Sequence, residues 1–123
     1  MNAEGTDLFR TVIKNDPNKI NEFFEKLTLE LANTIPISPK RVTTSKKFQF
    51  DTSVDPRQII LSIDIKRDKT GREIPVNSAA KDLDTLIKNK FVTVISSGEY
   101  STYLDEEFGY ETIRKNSFLK LIR

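Results

Sequence analysis

Apolar and polar positions along this chain change rhythm several times, and each rhythm predicts an element. In "NDPNKINEFFEKLTLELANTI" the apolar residues Ile20, Phe23, Phe24, Leu27 and Leu31 recur at helical spacing. Asp16 can cap this helix and Pro17 suits its first turn, where a missing N–H costs nothing. "TDLFRTVIKN" predicts a shorter helix capped by Thr6 or Asp7. From Val42 to Phe50 the chain turns β-branched and aromatic, with Phe48 and Phe50 on one face. After the Asp55-Pro56 turn, "RQIILSIDIKRD" alternates. Ile59, Leu61, Ile63 and Ile65 point one way, while Ser62, Asp64 and Lys66 point the other, as in a half-buried antiparallel strand.

Gly71 turns the chain in "DKTGRE", and Asn77 or Ser78 can cap a further helix with Ala80, Leu83, Leu86 and Ile87 inward. Phe91, Val92, Val94 and Ile95 then predict a strand, with Tyr100 to Leu104 as its partner beyond Gly98. "YETIRKNSFLKLIR" predicts a helix or an extended arm. The expected fold is α+β, a small antiparallel or mixed sheet packed against two or three helices. Residues 1–123 read as a single α+β domain, with 1–16 and 112–123 as candidate partner-binding arms.

Composition narrows the chemistry. The 123 residues contain no cysteine, which excludes disulfides, thiolate metal sites and thiol catalysis. Histidine is absent as well, removing the side chain that most often moves protons or binds catalytic metals. We expect no enzyme, no cofactor and no metal. Asp105, Glu106 and Glu107 lack a matching second cluster, and a glycosidase pair with Glu99 or Glu73 has no pocket to support it. No apolar run reaches membrane-spanning length, and the N-terminus lacks the basic start and apolar core of a signal peptide, so no membrane partner is expected.

The net charge is only +2, but it is unevenly spread. Residues 39–72 hold nine Lys and Arg against four aspartates, whereas Glu99 to Glu111 is acidic. Lys46, Lys47, Arg57, Lys66, Arg67 and Arg72, with Phe48 and Phe50 interleaved, make nucleic-acid binding the alternative function. Ordinary burial of both phenylalanines and a solvated basic face are the simpler account of the same residues.

The stretch Ile87 to Gly109, "IKNKFVTVISSGEYSTYLDEEFG", resembles the baseplate wedge family of contractile tails, whose members initiate sheath assembly in phages and related injection machines. The resembling features are a helix end at Leu86 to Asn89, a strand at Phe91 to Ser96, a turn at Ser97-Gly98-Glu99, and a terminal Glu107-Phe108-Gly109. The likeness spans about residues 60–113. Glu106 stands where the family has proline, Tyr100 and Ser97 where it has arginine. The helix, "SPKRV" segment and strands that follow the match in the family precede it here, as in a permuted member. The resemblance implies a structural protein of the virion tail baseplate, assembled in the host bacterial cytoplasm. Its partners would be other baseplate or sheath-type subunits, docked by strand addition. Gly98, Glu99, Glu107, Phe108 and Gly109 would be architectural, Phe108 as a buried anchor. Ile113, Phe118, Leu119, Leu121 and Ile122 of the terminal arm would bind the partner.

Overall fold

The structure, a computed structural model, describes residues 1–51, 58–112 and 120–122. The fold is α+β, with three helices and two small antiparallel sheets. Helix α1 covers Ala3–Leu8 and runs on as a π-helical stretch, Phe9–Ile13. It starts before the expected Thr6 or Asp7 because Asn2 provides the cap, accepting from the Gly5 N–H. The wider π turn closes with Lys14 N donating to Phe9 O at 2.8 Å, and Phe9 and Ile13 both reach the core. Helix α2, Pro17–Thr34, begins as its sequence predicts, with Asp16 accepting from Asn18 N. Its stripe of Phe23, Phe24, Leu27 and Leu31 is completely buried.

Strands β1 (Val42–Thr43), β2 (Phe48–Asp51), β3 (Gln58–Ser62) and β4 (Asp64–Ile65) follow. The alternating segment 58–65 does not stay in one sheet. Its first half, β3, pairs with β2 in the larger sheet, ordered β2-β3-β6-β5 with β5 at Tyr110–Thr112 and β6 at Lys120–Ile122, and its second half, β4, pairs with β1. Ile63, fully buried, stands at the hand-over, and its carbonyl receives the buried Tyr110 hydroxyl at 2.9 Å. Ile59, Leu61, Ile63 and Ile65 all face the core despite the break.

Helix α3 runs over Val76–Lys88, starting before the expected caps; Pro75 occupies the cap position and makes no side-chain hydrogen bond there. Ala79, Leu83 and Ile87 are its buried face. The expected strand at Phe91–Ile95 is absent. Lys90–Val92 and Val94–Ser97 are short 3-10 turns, and the expected partner strand at Tyr100–Leu104 is another, Ser101–Tyr103. Strands β5 (Tyr110–Thr112) and β6 (Lys120–Ile122) complete the larger sheet.

The terminal segments correct a second expectation. Strand β6 lies between β3 and β5, pairing Leu61 with Ile122 and Tyr110 with Ile122, so residues 120–122 are an interior strand, not a free arm or a helix. Residues 1–16 are also built in: Met1, Phe9 and Ile13 are core, and Ile59 N donates to Thr6 Oγ1 at 3.0 Å.

Candidate docking surface

The turn at "LDEEFG" is made by its backbone. Phe108 N and Gly109 N both donate to Asp105 O, at 3.2 and 3.1 Å, while the Asp105 side chain accepts from Glu107 N at 3.0 Å. Gly109 has φ +73°, a conformation that other L-residues rarely adopt. A β-carbon there would also collide with Asp84 Oδ1, the atom that receives Tyr110 N at 2.8 Å. Both the angle and the lack of room therefore require glycine at position 109. Phe108 is not the buried anchor expected of it, being only half-buried. Asp105, Glu106 and Glu107 divide among separate tasks. Asp105 closes the turn, Glu106 approaches Lys90, and Glu107 is exposed.

Lys90 explains why the preceding segment is not a strand. Although charged, it is only 5% exposed, and its ammonium donates to Thr102 O at 2.9 Å and Leu104 O at 3.0 Å. Glu106 stands 3.7 Å away, and the ammonium also lies 5.2 Å from the Phe91 ring centroid. A buried ammonium needs several acceptors, and the coil of 3-10 turns wraps two carbonyls around it. From the other side Glu30 of α2 accepts from Tyr100 N and Ser101 N, the latter at 2.9 Å. Ser101 Oγ donates to Ile95 O at 2.8 Å. Gly98 is needed for space rather than for its angle, since a β-carbon would strike Ser101 Oγ. Glu99 is exposed and takes Lys26 at 3.3 Å.

Held in this way, the segment buries Ile95 and turns its other large residues outward. Phe91 is 76% exposed, Val92 86% and Val94 60%. Val94 borders a groove of about 350 Å³, which Glu30, Asn33, Thr34, Ser97, Gly98 and Ser101 complete. Leu29, one helical turn before Asn33 on α2, is 48% exposed. Scattered exposed hydrophobes are ordinary, whereas Phe91, Val92 and Val94 are neighbours on one pinned segment.

The basic residues are divided. Lys46 and Lys47 precede β2, and Lys46, at φ +61°, donates to Asn21. Phe48 packs against Phe9 with ring centroids 4.7 Å apart, and both Phe48 and Phe50 lean on the core, so neither forms a stacking platform. Lys66, Arg67 and Arg72 are exposed on the turn after β4. Arg57, Ile113, Phe118 and Leu119 lie outside the described residues, and Leu121 and Ile122 are described only as backbone of β6.

That turn is shaped by its acids. Asp68 accepts from Glu73 N, Thr70 N and the Thr70 hydroxyl, and these bonds, Glu73's first, hold its carboxyl down at about 2. Glu73 in turn accepts from Ser38 N at 2.8 Å and pairs with the buried Arg41 at 3.4 Å. Sequence reasoning missed Glu30, Lys90 and Asp84, because each acts on backbone 12 to 71 residues distant. Glu30 and Asp84 each stand beside a buried apolar residue, Leu31 and Leu83, whereas Lys90, between the exposed Asn89 and Phe91, carries no such sign.

Among the described residues no helix is long and apolar enough to cross a membrane, and no three His, Cys, Asp or Glu side chains group to hold a metal ion. Comparisons of the chain with protein-family models, curated proteins and solved structures find no match.

Proposed function

We propose that this chain is a structural subunit that works by binding its neighbours rather than by chemistry. The observation that carries this reading is the group Phe91, Val92 and Val94, left exposed on a segment that Lys90 and Glu30 hold in place. Three large apolar side chains kept in water by a rigid support gain free energy when a partner covers them. The setting is the one that the sequence resemblance implies, the baseplate of a contractile tail assembled in a bacterial cytoplasm. The helix end and the Gly109 turn support that likeness, whereas the strand at 91–96 does not form.

The docking mode shifts accordingly. Of the two edge strands of the larger sheet, β5 is closed at Tyr110 by Asp84 of α3, leaving β2 as the edge suited to strand addition. The apolar 91–94 surface replaces the C-terminal segment as the main contact.

Co-assembly tests the reading. The tagged chain is expressed with the sheath and tube subunits of a contractile tail encoded beside it, and the particles are separated by density. Chain in the particle fraction, lost with Val92→Asp, supports the proposal. Complete particles with all of the chain left in the light fraction would sink it. The exposed cations of Lys46, Lys47, Lys66, Arg67 and Arg72 support the alternative, nucleic-acid binding. A single-stranded oligonucleotide titrated at rising salt should then lose affinity steeply, and no binding at low salt rejects it.

A further inference from the structure

Two surfaces of opposite character stand at the two ends of α3. Before its first turn comes the loop Lys66–Glu73. Its two carboxylates are turned inward, Asp68 onto the loop's own N–H groups and Glu73 onto Ser38 and Arg41. Lys66, Arg67, Lys69 and Arg72 are left exposed and make no ion pair with the described residues. Beyond the last turn come Phe91, Val92 and Val94, and Leu29 is exposed on α2 one turn before the groove residue Asn33. The rim of that apolar surface is acidic. Glu22 and Glu25 stand on the Leu29 face of α2, and Glu30 and Glu99 border the 94–101 segment. Lys26, held by Glu22 at 2.9 Å and by Glu99, is the cation among them; Lys88 at the end of α3 is matched by Asp84.

We propose that copies of this chain associate head to tail, the cationic 66–72 loop of one copy seating on the apolar, acid-rimmed surface of Leu29, Phe91, Val92 and Val94 of the next. The inference rests on the binding reading above and names the partner as a second copy. Charge complementarity selects it: four exposed cations meet the three exposed carboxylates of Glu22, Glu25 and Glu99, which have Lys26 alone among them. Guanidinium groups of Arg67 and Arg72 suit the open face of Phe91, and the aliphatic stems of Lys66 and Lys69 can cover valines while their ammonium groups reach the rim. The cationic loop precedes α3 and the apolar surface follows it, with the 13 residues of the helix, about 20 Å at 1.5 Å per residue, between them in the chain. A contact between different surfaces of identical copies repeats, so it builds a ring or a filament rather than a closed pair.

Sedimentation velocity of the whole chain over a range of concentrations provides the test. The expected result is a mass that grows with concentration and falls back as salt rises. Two variants change only exposed positions. Val92→Asp spoils the apolar surface and keeps the cationic loop; Lys69→Glu with Arg72→Glu does the reverse. Each alone should self-associate at least about tenfold more weakly than the parent, a loss of about 1.4 kcal/mol. Mixed in equal amounts they should form a pair that grows no further, since one intact surface of each kind remains. Unchanged melting temperatures confirm that both variants fold.

A parent chain that stays monomeric at every concentration overturns the inference. So does a loop variant that associates as strongly as the parent, which would mean a patch-to-patch dimer, or a loop that binds an oligonucleotide without any self-association. A monomeric parent whose co-assembly with tail subunits is still lost with Val92→Asp removes this inference and leaves the proposed function standing.

Discussion

Gly109 and Gly71 both have positive φ, yet their surroundings differ in a way that mutation can measure. Gly71, at φ +68°, has open space where a β-carbon would go, so Gly71→Ala should cost only the backbone term, about 1–2 kcal/mol. Gly109→Ala adds a collision with the carboxylate that holds Tyr110 N, and should cost about 2–4 kcal/mol. Urea denaturation of the two variants side by side checks the ordering; equal losses would mean that Asp84 moves aside freely. At Tyr110, burial and then the charge of Asp64 push the phenol well above its ordinary value of 10.0. Its folded pKa is raised, so its contribution is complete below pH 10 and declines above it, where only the unfolded chain ionises. Tyr110→Phe should leave the Ile63 carbonyl unpaired, at a cost of about 1–2 kcal/mol at neutral pH, and should reduce the loss of stability measured at alkaline pH.

Among the elements, the 90–104 segment depends most on a single side chain. Lys90→Met keeps the apolar stem and removes the ammonium, stranding the Thr102 and Leu104 carbonyls. The expected cost is about 2–4 kcal/mol, with faster hydrogen exchange at Tyr103 and Leu104. An unchanged denaturation midpoint would show that water replaces the ammonium without loss. The 66–73 loop carries its own pH dependence. Since Asp68 titrates at about 2 when folded and at 3.8 ordinarily, its hold on Thr70 and Glu73 persists above that ordinary value and fades as pH falls toward 2. NMR shifts of the Thr70 and Glu73 amides should follow that titration, and amides that stay fixed down to pH 2 would show that the loop does not need the charge.

These elements also show what was legible in the sequence. Asp16-Pro17 announces α2 because cap and first-turn chemistry act within three residues, and the alternation from Ile59 to Ile65, interrupted at Ile60, announces a strand. The run Phe91 to Ile95 misleads because a short apolar stretch has no period long enough to separate strand from coil. What decides it is a lysine finding carbonyls more than ten residues away. The C-terminal segment is ambiguous for a similar reason: its place is set by β3 and β5, which lie on either side of β6, and not by its own pattern.

At the scale of the molecule, the chain's two ends meet in one construction. The N-terminal amino group donates to Ile59 O on β3, and β6 pairs with the same strand two residues further on, at Leu61. Deleting residues 112–123 removes the strand that joins β5 to the remainder of the sheet. The truncated chain should therefore lose its cooperative thermal transition rather than persist as a folded monomer. A sharp transition after truncation, with native-like circular dichroism, would show that the first 111 residues fold alone.

The hand-over at Ile63 has a consequence for how the chain tolerates insertions. Ile59, Leu61, Ile63 and Ile65 keep one phase through two sheets, so the sheets share a single odd-numbered inward set. One residue inserted between Ile63 and Asp64 would put β4 out of step, exchanging Ile65 for a polar neighbour on the inner side. Two inserted residues would restore the parity and leave only a longer connection to close. The double insertion should thus be the milder of the two, a reversal of the usual rule that a longer insertion does more harm.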